Sequence, residues 1–188
     1  MVTIGILGLQ GGVREHALAL AACGASVRVV KSPADTSAMD GLILPGGEST
    51  AISRLTRLAG LEAPLRRLIE RGLPVWGTCA GAIMLGLGGT FGCLEAEIVR
   101  NAYGPQLHST IAHGDFIHRT IPMVFIRAPR IARAGSKTVV LGRLGEEIVA
   151  LREGAILATT FHPELSRDLT VTRYFLDMAR EGARRFYA

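Results

Sequence analysis

Aromatic residues make up only 5% of the 188 positions, too few to build the stacking platforms that hold single-stranded nucleic acid. The net charge of +5 and the isoelectric point near 9.6 come mostly from arginines. These are spread along the chain (Arg54, Arg57, Arg66, Arg67, Arg71, Arg127, Arg130, Arg133, Arg180, Arg184, Arg185) and read as a solvated surface, so nucleic acid is not an expected partner. Three cysteines, an odd number without paired spacing, make a disulfide framework unlikely and suit a reducing cytoplasm. There is no Cys-x-x-Cys and no His-x-x-x-His, so no metal is expected. Mean hydropathy is positive, yet no uncharged apolar run reaches the roughly 18 residues a membrane span needs. The stretch Met1–Gly8 has no basic flank and reads as a buried strand, not a signal peptide. No Gly-Lys-Ser/Thr follows a glycine loop, and Gly5-x-x-Gly8-x-x-Gly11 lacks the adjacent Gly-x-Gly of a dinucleotide site. Repeats, low-complexity segments and linkers are missing too, which predicts a single domain over 1–188.

What is present begins with alternation. Apolar strands at 2–8, 26–30, 42–44 and 73–76 are separated by helical spacing at 13–23, 50–59 and 64–71, with Pro64 suited to the first helical position. A further helix is predicted at 80–87. Repeated β-α units of this kind predict an α/β fold: three layers, flavodoxin-like, a mostly parallel sheet with helices on both faces. Beyond residue 92 the rhythm changes to shorter strands at 95–100, 108–113, 124–127 and 138–141. A hairpin at 147–152 and 155–161 turns at Glu153-Gly154, and a closing helix runs over 169–186.

Chemistry gathers at strand ends. Val75-Trp76-Gly77-Thr78-Cys79-Ala80-Gly81 is a strand, a sharp turn and a helix start. Gly77-x-Cys79-x-Gly81 copies the Gly-x-Ser-x-Gly nucleophile elbow with sulfur for oxygen. Small neighbours leave room for the strained turn, and a helix N-terminus favours a thiolate. A free cysteine is more often a small buried hydrophobe; Cys23 and Cys93 read that way, while Cys79 has the elbow around it. Thr160-Phe161-His162-Pro163-Glu164 supplies a candidate base and its orienter. Pro163 favours an extended His162, and residues two apart in extended chain share a side. Standing alone, this string reads first as a surface turn; with a cysteine elbow at another strand end of the same sheet, the catalytic reading takes precedence. Leu44-Pro45-Gly46-Gly47-Glu48-Ser49-Thr50 ends a third strand. Its glycine backbone can carry the Gly47 N–H towards an oxyanion, paired with the Ala80 N–H; alternatively it is a Gly-Gly turn capped by Ser49, and both roles can coexist.

Gly77-Thr78-Cys79-Ala80-Gly81 together with His162-Pro163-Glu164 resembles the class I (triad) glutamine amidotransferases. Four more strings resemble, within that family, the glutaminase subunits of pyridoxal 5'-phosphate synthase: Ile4–Gly11 with Arg14-Glu15-His16, Leu44–Thr50, Arg100-Asn101, and Phe125–Pro129. The likeness runs from the N-terminus to Tyr174. It implies a class I glutamine amidotransferase-like fold and hydrolysis of L-glutamine to glutamate and ammonia, without cofactor. It also implies a hetero-oligomer with a (β/α)₈ synthase subunit, to which the ammonia passes for vitamin B6 biosynthesis. The resemblance places the catalytic triad on Cys79, His162 and Glu164. It places glutamine binding on Gly47, Glu48, Ser49, Arg100, Ile126 and Arg127; an arginine suits an α-carboxylate through a bidentate pair. The sequence departs from the family where Pro105, not a basic residue, precedes Gln106, and in a short 85–94 segment.

Three rival readings stand beside this one. A class I glutaminase feeding histidine or purine biosynthesis would share the triad, but the Gly8-Leu9-Gln10-Gly11 start and Ile126–Pro129 argue against it. A cysteine hydrolase or chaperone of flavodoxin-like fold would not need His162-Pro163-Glu164. A non-catalytic binding module would not keep an intact Cys, His and Glu set.

Overall fold

The computed structural model describes residues 1–100 and 109–186. The chain runs β1 (Thr3–Leu7), α1 (Val13–Ala22), β2 (Ser26–Val30), β3 (Gly41–Leu44), α2 (Ser49–Leu58), α3 (Glu62–Glu70), β4 (Val75–Thr78) and α4 (Ala80–Leu85). It continues with β5 (Ala96–Val99), β6 (Ser109–Phe116), β7 (Arg119–Ile126), β8 (Arg130–Ala134), β9 (Val139–Leu144), β10 (Glu147–Glu153), β11 (Ile156–Thr159) and α5 (Thr170–Phe186). Nine strands form one sheet in the order β2-β1-β3-β4-β11-β10-β9-β6-β7, and β5 pairs with β8 apart from it.

The sheet changes character at β11. From β2 to β11 all neighbours are parallel; from β11 to β7 all are antiparallel. The parallel half is what the alternation predicts. β3 and β4 are buried at every position, as strands covered on both faces must be. Leu42, Leu44, Val75 and Ala158 pack with Ile52, Leu65 and Ala82 of α2, α3 and α4 on one side. Ile4, Ile6, Ile43, Trp76 and Leu157 pack with Leu20 of α1 and Phe175 of α5 on the other. Helices therefore cover both faces, and the fold is α/β in three layers.

Several boundaries move. Pro64 lies at the third position of α3, not the first, which it tolerates because the first turn has no intrahelical N–H partners to lose. α4 stops at Leu85, where Gly86 turns extended. β7 begins at Arg119 and contains Pro122; as the last strand of the sheet it pairs only with β6, and an edge can hold a residue without an N–H. The helical cap expected of Ser49 belongs to Glu48, whose carboxylate accepts from Thr50 N (3.0 Å) and Ala51 N (2.6 Å).

Candidate active site

Parallel pairing brings the motifs to one rim. Thr78 of β4 registers with Thr159 of β11, and Leu44 of β3 registers with Gly77. The residues just past these pairs, Cys79, His162 and the Gly46-Gly47 turn, leave the sheet side by side at its carboxyl edge, where open α/β sheets bind ligands.

Cys79 has φ +47° and ψ −101°, a conformation costly for a residue with a Cβ. The elbow closes around it: a Cβ on Gly81 would lie 2.0 Å from the Leu44 carbonyl oxygen, and one on Gly77 would lie 2.5 Å from the Gly81 backbone. Cys79 N donates to Thr159 O at 2.8 Å, tying the turn to β11. Its Sγ lies 3.9 Å from the Ile126 carbonyl oxygen.

His162 is anchored by its own N–H, which donates to Val124 O of β7 at 2.8 Å. Its Nδ1 is 2.8 Å from Glu164 Oε1. The expected extended geometry is corrected here. Pro163–Leu165 form a 3₁₀ turn that Pro163 starts by fixing its φ, and the turn curls Glu164 back beneath the imidazole. The pairing follows the sequence reading; the backbone producing it does not. Burial works against a charge on His162. The hydrogen bonds it gives to Cys79 and Glu164, with their charges, outweigh it and push the imidazole up to about 10. Glu164 is likewise resisted by burial, but His16 and His162 hold its carboxyl below the usual range. An imidazole held protonated beside a cysteine and a carboxylate is what a cysteine nucleophile with an acid–base partner would require.

A cavity of about 320 Å³ opens beside the thiol. Its lining joins Cys79 and His162 to Gly47, Glu48, Ser49, Ala80, Arg100, Ile126 and Arg127, so every expected oxyanion and substrate position is brought there. Arg100 is steadied by a 2.7 Å hydrogen bond from Nη1 to Thr50 Oγ1. Arg127 turns through φ +44° as it leaves β7. The Glu48 carboxylate, committed to capping α2, offers the cavity its backbone more than its charge. Asn101, Pro105, Gln106 and the first residue of the expected 108–113 strand lie outside the described residues.

The cavity residue Gln10 and the buried neighbour His16 lie in strings that carry the resemblance, but sequence alone assigns them no role at the site and does not signal the cavity residue Ile83. Gln10 Oε1 accepts from Glu48 N at 2.9 Å, and Gly12 N donates to Gly46 O at 3.0 Å. The β1–α1 loop thus holds the Pro45–Glu48 loop at both ends. A Cβ on Gly11 would meet Gly46 O at 1.9 Å, so this contact requires glycine. Cys23 and Cys93 stand apart from the site, both half-buried; burial pushes the Cys93 thiol up to about 11. Among the described residues no group of His, Cys, Asp and Glu is arranged to hold a metal, and no helix is long and apolar enough to cross a membrane.

Residues 6–181 match the SNO glutamine amidotransferase family. The chain belongs to that family. It is 46% identical over 190 residues to the pyridoxal 5'-phosphate synthase subunit PdxT of Frankia casuarinae, covering 95% of this chain and 96% of that one. It is 44% identical to the PdxT of Deinococcus radiodurans, over 97% of this chain and all of the other. A crystal structure described as a glutamine amidotransferase superposes with a TM-score of 0.89 at 41% identity, over 94% of this chain and 98% of that one. The amidotransferase fold expected from the sequence is therefore the observed one.

Proposed function

We propose that this amidotransferase is the glutaminase subunit of a pyridoxal 5'-phosphate synthase, a cytoplasmic one-domain protein that makes ammonia from L-glutamine for a (β/α)₈ partner. The observation that carries the reading is the Cys79–His162–Glu164 arrangement at the mouth of a cavity lined by two arginines, in a chain so close to PdxT proteins. Cys79 attacks the side-chain amide. The N–H groups of Gly47 and Ala80 receive the oxyanion, and Arg100 and Arg127 receive the α-carboxylate. His162, already carrying a proton, gives it to the departing ammonia. It then takes a proton from the water that hydrolyses the glutamyl thioester, and Glu164 steadies its charge throughout.

The oxyanion loop gives the reading a second consequence. With Gly46 O held by Gly12 N, turning the Gly46–Gly47 peptide breaks a hydrogen bond, and a docked synthase is the proposed agent of that change. Glutamate release is measured on the full chain with and without the synthase subunit, beside Cys79→Ala. The expected result is turnover that rises at least about tenfold with the synthase, a change worth 1.4 kcal/mol, and that vanishes in Cys79→Ala. Equal rates with and without the synthase would remove the activation step. Turnover that survives in Cys79→Ala would remove the mechanism.

A further inference from the structure

Glu164 has two carboxylate oxygens, and the acid–base pair uses one. Oε1 bonds His162, whereas Oε2 is buried and makes no hydrogen bond. A buried carboxylate oxygen without a donor is costly. The His16 side chain on α1 reaches it as an ion-pair partner, with Nε2 3.5 Å from Oε2 and 3.2 Å from Thr78 Oγ1. His16 is 1% exposed and stands edge-on to Trp76 with ring centroids 5.3 Å apart. Thr78 is the residue before the nucleophile. The imidazole thus touches both the strand that carries Cys79 and the carboxylate that holds His162.

We propose that His16 is a positioning residue of the active site: as a neutral imidazole with its proton on Nε2, it directs that proton at Glu164 Oε2, keeping the carboxylate ionised and aimed at His162. The inference rests on the reading of Cys79, His162 and Glu164 as the acting triad. The proximity of the carboxylate favours this tautomer: a proton on Nε2 lies between Thr78 Oγ1 and Glu164 Oε2, whereas a proton on Nδ1 would leave the Nε2 lone pair 3.5 Å from a buried carboxylate oxygen, offset only by a hydrogen bond accepted from the Thr78 hydroxyl. Neutrality follows from burial, which lowers the His16 pKa against the pull of Glu164. The charged and titratable groups that face it are Glu164 of the 3₁₀ turn, His162 just before that turn, and Glu15 of its own helix; among the described residues β4 contributes Thr78 and Trp76.

The test uses the full chain with its synthase partner. His16→Leu keeps the volume and removes the donor; His16→Gln keeps an N–H that can reach the carboxylate. Glutaminase kcat/KM is measured from pH 3 to 9, with the alkylation rate of Cys79 followed by peptide mass spectrometry over the same range. Without a donor on Oε2 the carboxylate takes up a proton more readily. His16→Leu is expected to lose about tenfold in kcat/KM, with the acid limb of both profiles shifted up by roughly one pH unit. His16→Gln is expected to stay within about threefold of the parent, with the limb back in place. A His16→Leu enzyme slowed equally at every pH, or matching the parent throughout, overturns the proposal, as does His16→Gln behaving like His16→Leu. Should His16→Leu not fold, His16→Asn, whose amide stops short of the carboxylate, takes its place with the same two readings. A parent chain that turns over no glutamine would refute the proposed function instead, and the alkylation profiles would still judge His16.

Discussion

Cys79 sits where the backbone suits glycine and the proposed chemistry requires sulfur. At φ +47° a side chain costs on the order of 1–3 kcal/mol, and this strain lifts Sγ clear of the strand. Glycine ordinarily destabilises a structured position relative to alanine. At residue 79 the order is expected to reverse. Cys79→Gly should exceed Cys79→Ala in unfolding free energy by about 1 kcal/mol, read as a higher urea midpoint at unchanged slope, while neither variant releases glutamate. Alanine equal to or above glycine would mean that the surroundings, and not the thiol's position, set this conformation. The same residue shows what a sequence can carry. The glycine spacing around Cys79 is local and legible, whereas His16 and Gln10, though they lie in recognisable strings, act through partners 148 and 38 positions away, so no neighbouring residue reveals their roles.

Among elements, the β3–β4–α4 unit has the least slack. α4 starts against β3 so closely that a Cβ added at Gly81 would stand only 2.0 Å from Leu44 O. Neither side can yield, since the Gly81 and Leu44 backbones both belong to a buried layer. Gly81→Ala is expected to cost about 3 kcal/mol and to abolish turnover by displacing the Ala80 N–H; thermal unfolding and a glutaminase assay read the two effects. Legibility divides along the sheet. β1, β3 and β4 are short apolar runs bounded by glycine and proline, and burial on both faces makes such runs conspicuous. The antiparallel half is half-exposed and so written more faintly. β8, Arg130–Ala134, escapes a reading by apolar pattern because arginines occupy two of its five positions, and Pro122 hides the start of β7. The His162–Glu164 pair is legible as a pair, but the 3₁₀ turn that joins it depends on contacts with β7 that lie far off in sequence. Gly46 shows the same limit: a Cβ there would lie 2.3 Å from the His162 ring, a reason for glycine that only the assembled rim supplies.

For the whole molecule, two buried histidines set opposite slopes of stability against pH. His16 is held neutral, its pKa below the ordinary value of 6.5. Below that pH the unfolded chain takes up a proton that the fold refuses, and stability falls as pH falls. His162 is held protonated up to about 10. Its contribution is complete below 6.5 and is lost as pH rises towards 10, because the unfolded chain gives up a proton that the fold keeps. Glu164 adds a second acid loss, confined to pH below the ordinary carboxylate value of 4.5, since its folded pKa is lowered. Between pH 6.5 and 4.5 the acid slope therefore belongs mainly to His16, at up to about 1.4 kcal/mol per pH unit. Above pH 6.5 the slope belongs to His162 and opposes it. Urea unfolding from pH 4.5 to 9 is expected to give a stability maximum near pH 6.5. His16→Gln should flatten the acid side alone, and His162→Gln the alkaline side alone. A maximum displaced by more than about one pH unit, or a single variant that flattens both arms, would show that the two imidazoles titrate as one coupled unit and not as opposed, separate ones.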